Sequence, residues 1–322
     1  MPGRRLRGQV DMTFPSTLRL ARHPRREAET LAGISRVLEP SPPAVDDGRW
    51  YADDPFTADD GDWAHWLREH PEHADWTARR WLAGYTPLPE PPPSYPATRL
   101  ALHRLAVYVL SPARRRVTTK IALRWTLGGV GTPFFGADEQ VRIDGATLVR
   151  QRGEHALAEQ LSTLRRAAAF AFDGGPDLDW ATGFDVPPAG DLDAPLEVDE
   201  ESAALLGNWY GLAYSVLEEL RGDLGGPDPD RVQLWPEHFD AAFRCPLGGQ
   251  VLTFGASPGH AASEQPYLYV LPADLDAVPS LVWNATAFPG AVQPLSDLLS
   301  ASDHRAAALQ FFRTCAAVVL DS

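Results

Sequence analysis

A chain of 322 residues that is 44% hydrophobic and 22% charged is long enough to bury a sizeable core, and too apolar to be wholly disordered or fibrous. No run approaches the roughly 18 uninterrupted apolar residues of a membrane span, so no membrane partner is expected. The 29 basic and 43 acidic residues leave a net charge of −14, which repels phosphate backbones and makes a general nucleic-acid role unlikely on electrostatic grounds.

In chain order, residues 1–45 are rich in arginine (Arg4, Arg5, Arg7, Arg19, Arg22, Arg25, Arg26) and carry no sustained apolar period, so they read as a mobile basic arm. Pro15, Arg19 and Arg22 stand where a secretory signal needs an apolar stretch, and the expected location is the cytoplasm. Residues 46–96 form a tryptophan-rich segment with a linker. Trp63, Trp66 and Leu67, spaced i, i+3 and i+4, share one face of a short helix capped by Asp59, Asp60 and Asp62. A second helix runs from Glu72 to about Ala83 with Trp76 and Trp81, and the prolines from Pro87 to Pro96 form a semi-rigid connector.

The first half of the body, 97–172, opens with a helical period over 99–112. After a turn at Arg114, Arg115 and Arg116, residues 117–127 alternate as a half-buried strand with Ile121, Leu123, Trp125 and Leu127 on one face. Asp144-Gly145 joins strands at 138–143 and 146–151, and a helix follows over 154–172. Residues 173–198 read as a solvated acidic linker, since ten carboxylates and no basic residue lie between Asp173 and Glu201. The second half, 199–322, begins with a strongly periodic helix over 199–221 stopped by Gly222. Strands at 231–235, 239–245, 250–255, 267–271 and 281–286 follow, too closely spaced for crossover helices and hence antiparallel. A last helix starts at Asp303 and runs to about Leu320. The expected class is α+β, with helices on one side of antiparallel sheets in two helix–meander–helix halves.

Several clusters invite a chemical reading. In Trp235-Pro236-Glu237-His238-Phe239-Asp240, an extended backbone puts His238 and Asp240 on one side, as a general base needs. Gly255-Ala256-Ser257-Pro258-Gly259-His260 offers small residues and exposed amides beside Ser257 and His260. If these turns converge, Trp235, Tyr267, Tyr269 and Trp283 wall a pocket. Glu237, His238, Asp240, Ser257, His260 and Asn284 then supply its polar groups, with His238, Asp240, Glu237 and Ser257 as the candidate catalytic set.

Other clusters read as structural. Gly128-Gly129-Val130-Gly131 lacks the Lys-Ser/Thr of a phosphate loop and reads as a turn. His65, Glu69, His70 and His73 do not make a metal-binding spacing, and Asp173, Asp177 and Asp179 lack the glycine and closing glutamate of a calcium loop. Cys245 and Cys315 read as small buried hydrophobes.

The strings W-P-E-H-F-D, G-A-S-P-G-H, P-Y-L-Y-V and L-R-W-T-L-G-G-V-G-T-P-F-F together resemble a functionally uncharacterised protein family of GC-rich actinobacteria, over roughly Ala97 to Leu320. The resemblance implies one fold for these segments and no particular reaction. The functional expectation is a small-molecule-binding protein, with enzymatic use of His238 as base, and the sequence names no cofactor. The alternative is an interaction module that docks a protein partner through its tryptophan-rich segment and acidic surface.

Overall fold

A computed structural model describes residues 71, 87–126, 128–136, 139–152, 155–224, 230–260, 263–274 and 282–320. The basic arm, the helices carrying Trp63 to Trp81 and the histidines at 65, 70 and 73 lie outside the described residues.

The first helix starts at the end of the proline run, where Ser94 is the N-cap and Pro96 sits in the first turn, its missing N–H costing nothing there. It comprises α1 (Tyr95–Leu105), a π-helical turn (Ala106–Leu110) and α2 (Ser111–Thr118). The predicted turn at Arg114 to Arg116 is therefore helical. Arg114 is buried and donates to the Ala122 carbonyl at 2.6 Å, and the helix stops at Thr119 in the left-handed region.

Two meanders follow the two long helices. The first comprises β1 (Arg124–Thr126), β2 (Gly129–Gly131), β3 (Glu139–Asp144), β4 (Thr147–Arg152) and β5 (His155–Gln160), and α3 (Leu164–Phe172) succeeds it. After α4 (Glu200–Asp223) comes the second, with β6 (Gln233–Trp235), β7 (Asp240–Leu247), β8 (Gln250–Ser257), β9 (Tyr267–Pro272) and β10 (Ala291–Pro294), then α5 (Leu295–Leu299) and α6 (His304–Leu320). Each meander is a five-stranded antiparallel sheet in sequence order. Leu123 and Leu234 exchange backbone hydrogen bonds of 2.7 and 2.9 Å, so β1 and β6 adjoin and the sheets meet at their first strands. The class is α+β in two helix–meander–helix halves.

Helix α4 joins these halves. It is apolar around most of its circumference, as a helix enclosed by other elements must be, and it packs on β1, β2, β7 and β8 as well as α1 and α6. Gly207 and Gly211, one turn apart, permit this approach. A Cβ at Gly207 would stand 3.1 Å from the Gly128 carbonyl carbon, and one at Gly211 would stand 3.1 Å from the Trp125 indole. The glycines at 128–131 thus serve close packing and a tight hairpin. From the second sheet, Ala241, Phe243, Cys245, Leu252, Phe254, Ala256, Leu268 and Val270 enter the core, and Phe312 of α6 meets Phe254 edge-on at 5.9 Å.

Other boundaries differ from the sequence reading for identifiable reasons. Residues 155–160 pair with β4 as a strand although Leu157, Leu161 and Leu164 have helical spacing, and α3 starts only where Thr163 Oγ1 accepts from Arg166 N at 3.1 Å. Residues 117 and 118 belong to α2, leaving a strand of just 124–126. Gly222 lies inside the last turn of α4. Residues 282–286 form no strand, and Asn284 instead bonds both the amide (2.8 Å) and the carbonyl (3.1 Å) of Val292, doing for the edge of β10 what a neighbouring backbone would do.

The acidic segment is largely exposed, as expected of a solvated stretch, but a few of its apolar residues fasten it to the core. Trp180 Nε1 donates to the Val107 carbonyl at 2.8 Å within the π turn, where the altered helical pairing leaves carbonyls available. Tyr108 and Arg104 bond the Pro187 and Pro188 carbonyls, and Val186, Leu192, Leu196 and Val198 lean on the core. Its carboxylates find local partners: Asp173 pairs with Arg150, Asp193 with Arg165 and Asp177 with Arg115.

Candidate functional site

Antiparallel pairing brings one end of the second sheet together. The register sets Trp235 beside Asp240, Ala241 beside Ala256 and Ser257 beside Tyr267, so the 236–239 turn and the 258–266 connection leave the sheet at the same end. Because Ala241, Ala256 and Leu268 point into the helical core, the alternation sends Asp240, Ser257, Tyr267 and Tyr269 to the opposite face.

Residues 236–239 form a tight turn between the two strands, so the extended backbone on which the His238–Asp240 pairing relied is absent. The Phe239 amide donates to the Trp235 carbonyl at 2.7 Å, and Phe239 takes φ +54°, a left-handed conformation that costs a bulky residue energy. Its surroundings hold it there. The ring stacks on His103 at 4.9 Å and meets Tyr210 at 5.7 Å, while the Tyr210 hydroxyl donates to the Phe239 carbonyl.

The two residues proposed as a pair differ in their surroundings. His238 is exposed, whereas Asp240 is buried and accepts its side-chain hydrogen bond from the Tyr269 hydroxyl at Oδ2. Tyr269 reaches across β8 because residue 255 is glycine, since a Cβ there would stand 2.2 Å from the phenol Cζ, far inside van der Waals contact. The other carboxyl oxygen, Oδ1, is buried without a partner. Burial raises the Asp240 carboxyl above its ordinary range, opposed by the Tyr269 hydrogen bond and the nearby His238 charge. It also raises Tyr269, which therefore acts as a neutral donor.

The remaining predicted residues fall into two groups. Glu237 is half-buried, with Oε2 unpartnered and its carboxyl raised by burial. Ser257 is buried and accepts from the Gly259 amide at 3.2 Å, next to Tyr267. His260 is exposed and meets Tyr267 edge-on at 5.9 Å, and Trp235 is half-buried at the end of β6. These gather at the one end. Trp283 and Asn284 do not join the turns there. Asn284 is exposed and committed to Val292, which pairs with Tyr269, so this stretch flanks the outer edge of the sheet.

Helix α1 adds a set that the sequence reading missed. Tyr95, Arg99 and His103 succeed one another at intervals of four along one helical face. The Tyr95 hydroxyl donates to the Pro258 carbonyl at 2.8 Å, and His103 Nε2 lies 2.9 Å from the Pro236 carbonyl. A carbonyl can only accept, so Nε2 carries the proton. Arg99 sits between these two tethers, 9% exposed, with Nε and Nη1 lacking any partner among the described residues. The available signal was the Ser94-Tyr95-Pro96 helix start, which puts these polar residues on one face.

Among the described residues, no helix is long and apolar enough to cross a membrane, and no group of three or more His, Cys, Asp or Glu is placed to hold a metal ion. Comparison of the chain with protein-family models, curated proteins and solved structures found no match.

Proposed function

We propose that the chain binds a small polar molecule at this end of the second sheet, and that Asp240, oriented by Tyr269, is the group that accepts a hydrogen bond or a proton from it. The observation carrying this reading is a buried carboxyl with one oxygen fixed by a phenol and the other unpartnered, on strands whose loops are tied down by Tyr95, His103 and Tyr210. Its pKa, raised by burial, and its orientation, fixed by Tyr269, suit a carboxylate that accepts a proton. Enzymatic use of the site assigns the base to Asp240 and leaves His238 at the rim. A thermal-shift screen against a metabolite library tests it. At least one compound should stabilise the parent, and Asp240→Asn should fold but lose that response. Equal stabilisation of the parent and Asp240→Asn by every hit would contradict the proposal.

A further inference from the structure

Arg99 and Asp240 are both left incomplete by the fold. A guanidinium stays charged inside a protein, and burying a cation without a counter-charge is unfavourable. Arg99 nevertheless forms no ion pair among the described residues: its helical neighbours Tyr95 and His103 are committed to backbone carbonyls, and Glu264, whose charge reaches it, is exposed. Asp240 Oδ1 is likewise buried and unpaired. Tyr210 and Tyr267 each lie within electrostatic reach of both groups, so the two unmet demands surround the same pair of tyrosines.

We infer that Arg99 anchors the carboxylate of a small hydroxy acid or amino acid, whose hydroxyl or amino group donates to Asp240. This rests on the ligand site proposed above and names its ligand class. The guanidinium fork fits a carboxylate through two parallel hydrogen bonds. Local charge selects a monoanion, because Glu237, Asp240 and Glu264 lie around this end of the sheet and a dianionic phosphate would meet them with a single arginine to offset its charge.

The test titrates the full chain with glycolate, glycine, acetate and inorganic phosphate at matched ionic strength, following thermal stability and heat of binding. Glycolate or glycine should stabilise more than acetate, and phosphate should give no shift. Arg99→Met should equal or exceed the unliganded parent in stability, since it removes an unpaired buried charge, and should lose the carboxylate response. Asp240→Asn should retain the acetate response and lose the added effect of the hydroxyl or amino group. If Arg99→Met does not fold, Arg99→Lys, which keeps charge but not the fork, should weaken binding roughly tenfold. An equal carboxylate response in the Arg99 variants, no carboxylate response in the parent, or a stronger response to phosphate overturns the inference. Should carboxylates fail while a library compound binds in an Asp240-dependent way, the ligand class falls and the site stands.

Discussion

His103 shows how one buried side chain makes the site sensitive to acid. Stacking on Phe239 and bonding to Pro236 enclose its ring, and burial pushes its pKa down from 6.5 to about 4. The folded chain then binds fewer protons than the unfolded chain between those values. Stability is therefore intact above about pH 6.5 and declines as pH falls toward 4. His103→Gln keeps a donor for the carbonyl and removes the titration, so its loss of stability over this interval should be smaller by on the order of 3 kcal/mol. Urea midpoints at pH 7.5, 5.5 and 4 check this, and parallel profiles for the two proteins would refute it. At this scale the sequence was partly readable. Asp240, Ser257 and Tyr267 gather at one end of the sheet, but Asp240 pairs with Tyr269, whereas the pairing of Asp240 with His238 had assumed an extended backbone where the chain turns. Arg99 was hidden because its importance lies in what it fails to contact.

Strands β7, β8 and β9 were legible because alternation and short turns leave little choice of pairing. What the pattern could not convey is why particular glycines interrupt them. Gly255 makes room for Tyr269 to reach Asp240, so Gly255→Ala should destabilise the protein by about 1–3 kcal/mol and displace the phenol. Gly175 has open space around it, and Gly175→Ala should stay within about 0.5 kcal/mol of the parent. Chemical denaturation of both variants decides the matter, and equal effects would show that the Gly255 contact does not constrain the fold. Helical periodicity misled at residues 155–160 for the opposite reason. Pairing with β4 satisfies that backbone and overrides the spacing of Leu157, Leu161 and Leu164.

For the whole molecule, the repeated order of helix, meander and helix was visible in the spacing of apolar runs and turns. Its consequence was not: the meanders adjoin through Leu123 and Leu234, and α4 packs on both. In the acidic segment composition conveyed the exposed charge, but not that Trp180, Leu192 and Leu196 lean on the core and hold the segment there. Out of this packing, α1 from the first half arrives against the strand ends of the second, and the candidate site is the product of that meeting. Amide chemical shifts followed by NMR while glycolate or glycine is added test this most directly. The account predicts changes clustered at residues 95–103, 236–240, 257–260 and 267–269; changes confined to other parts of the chain, or none at saturating concentration, would contradict it.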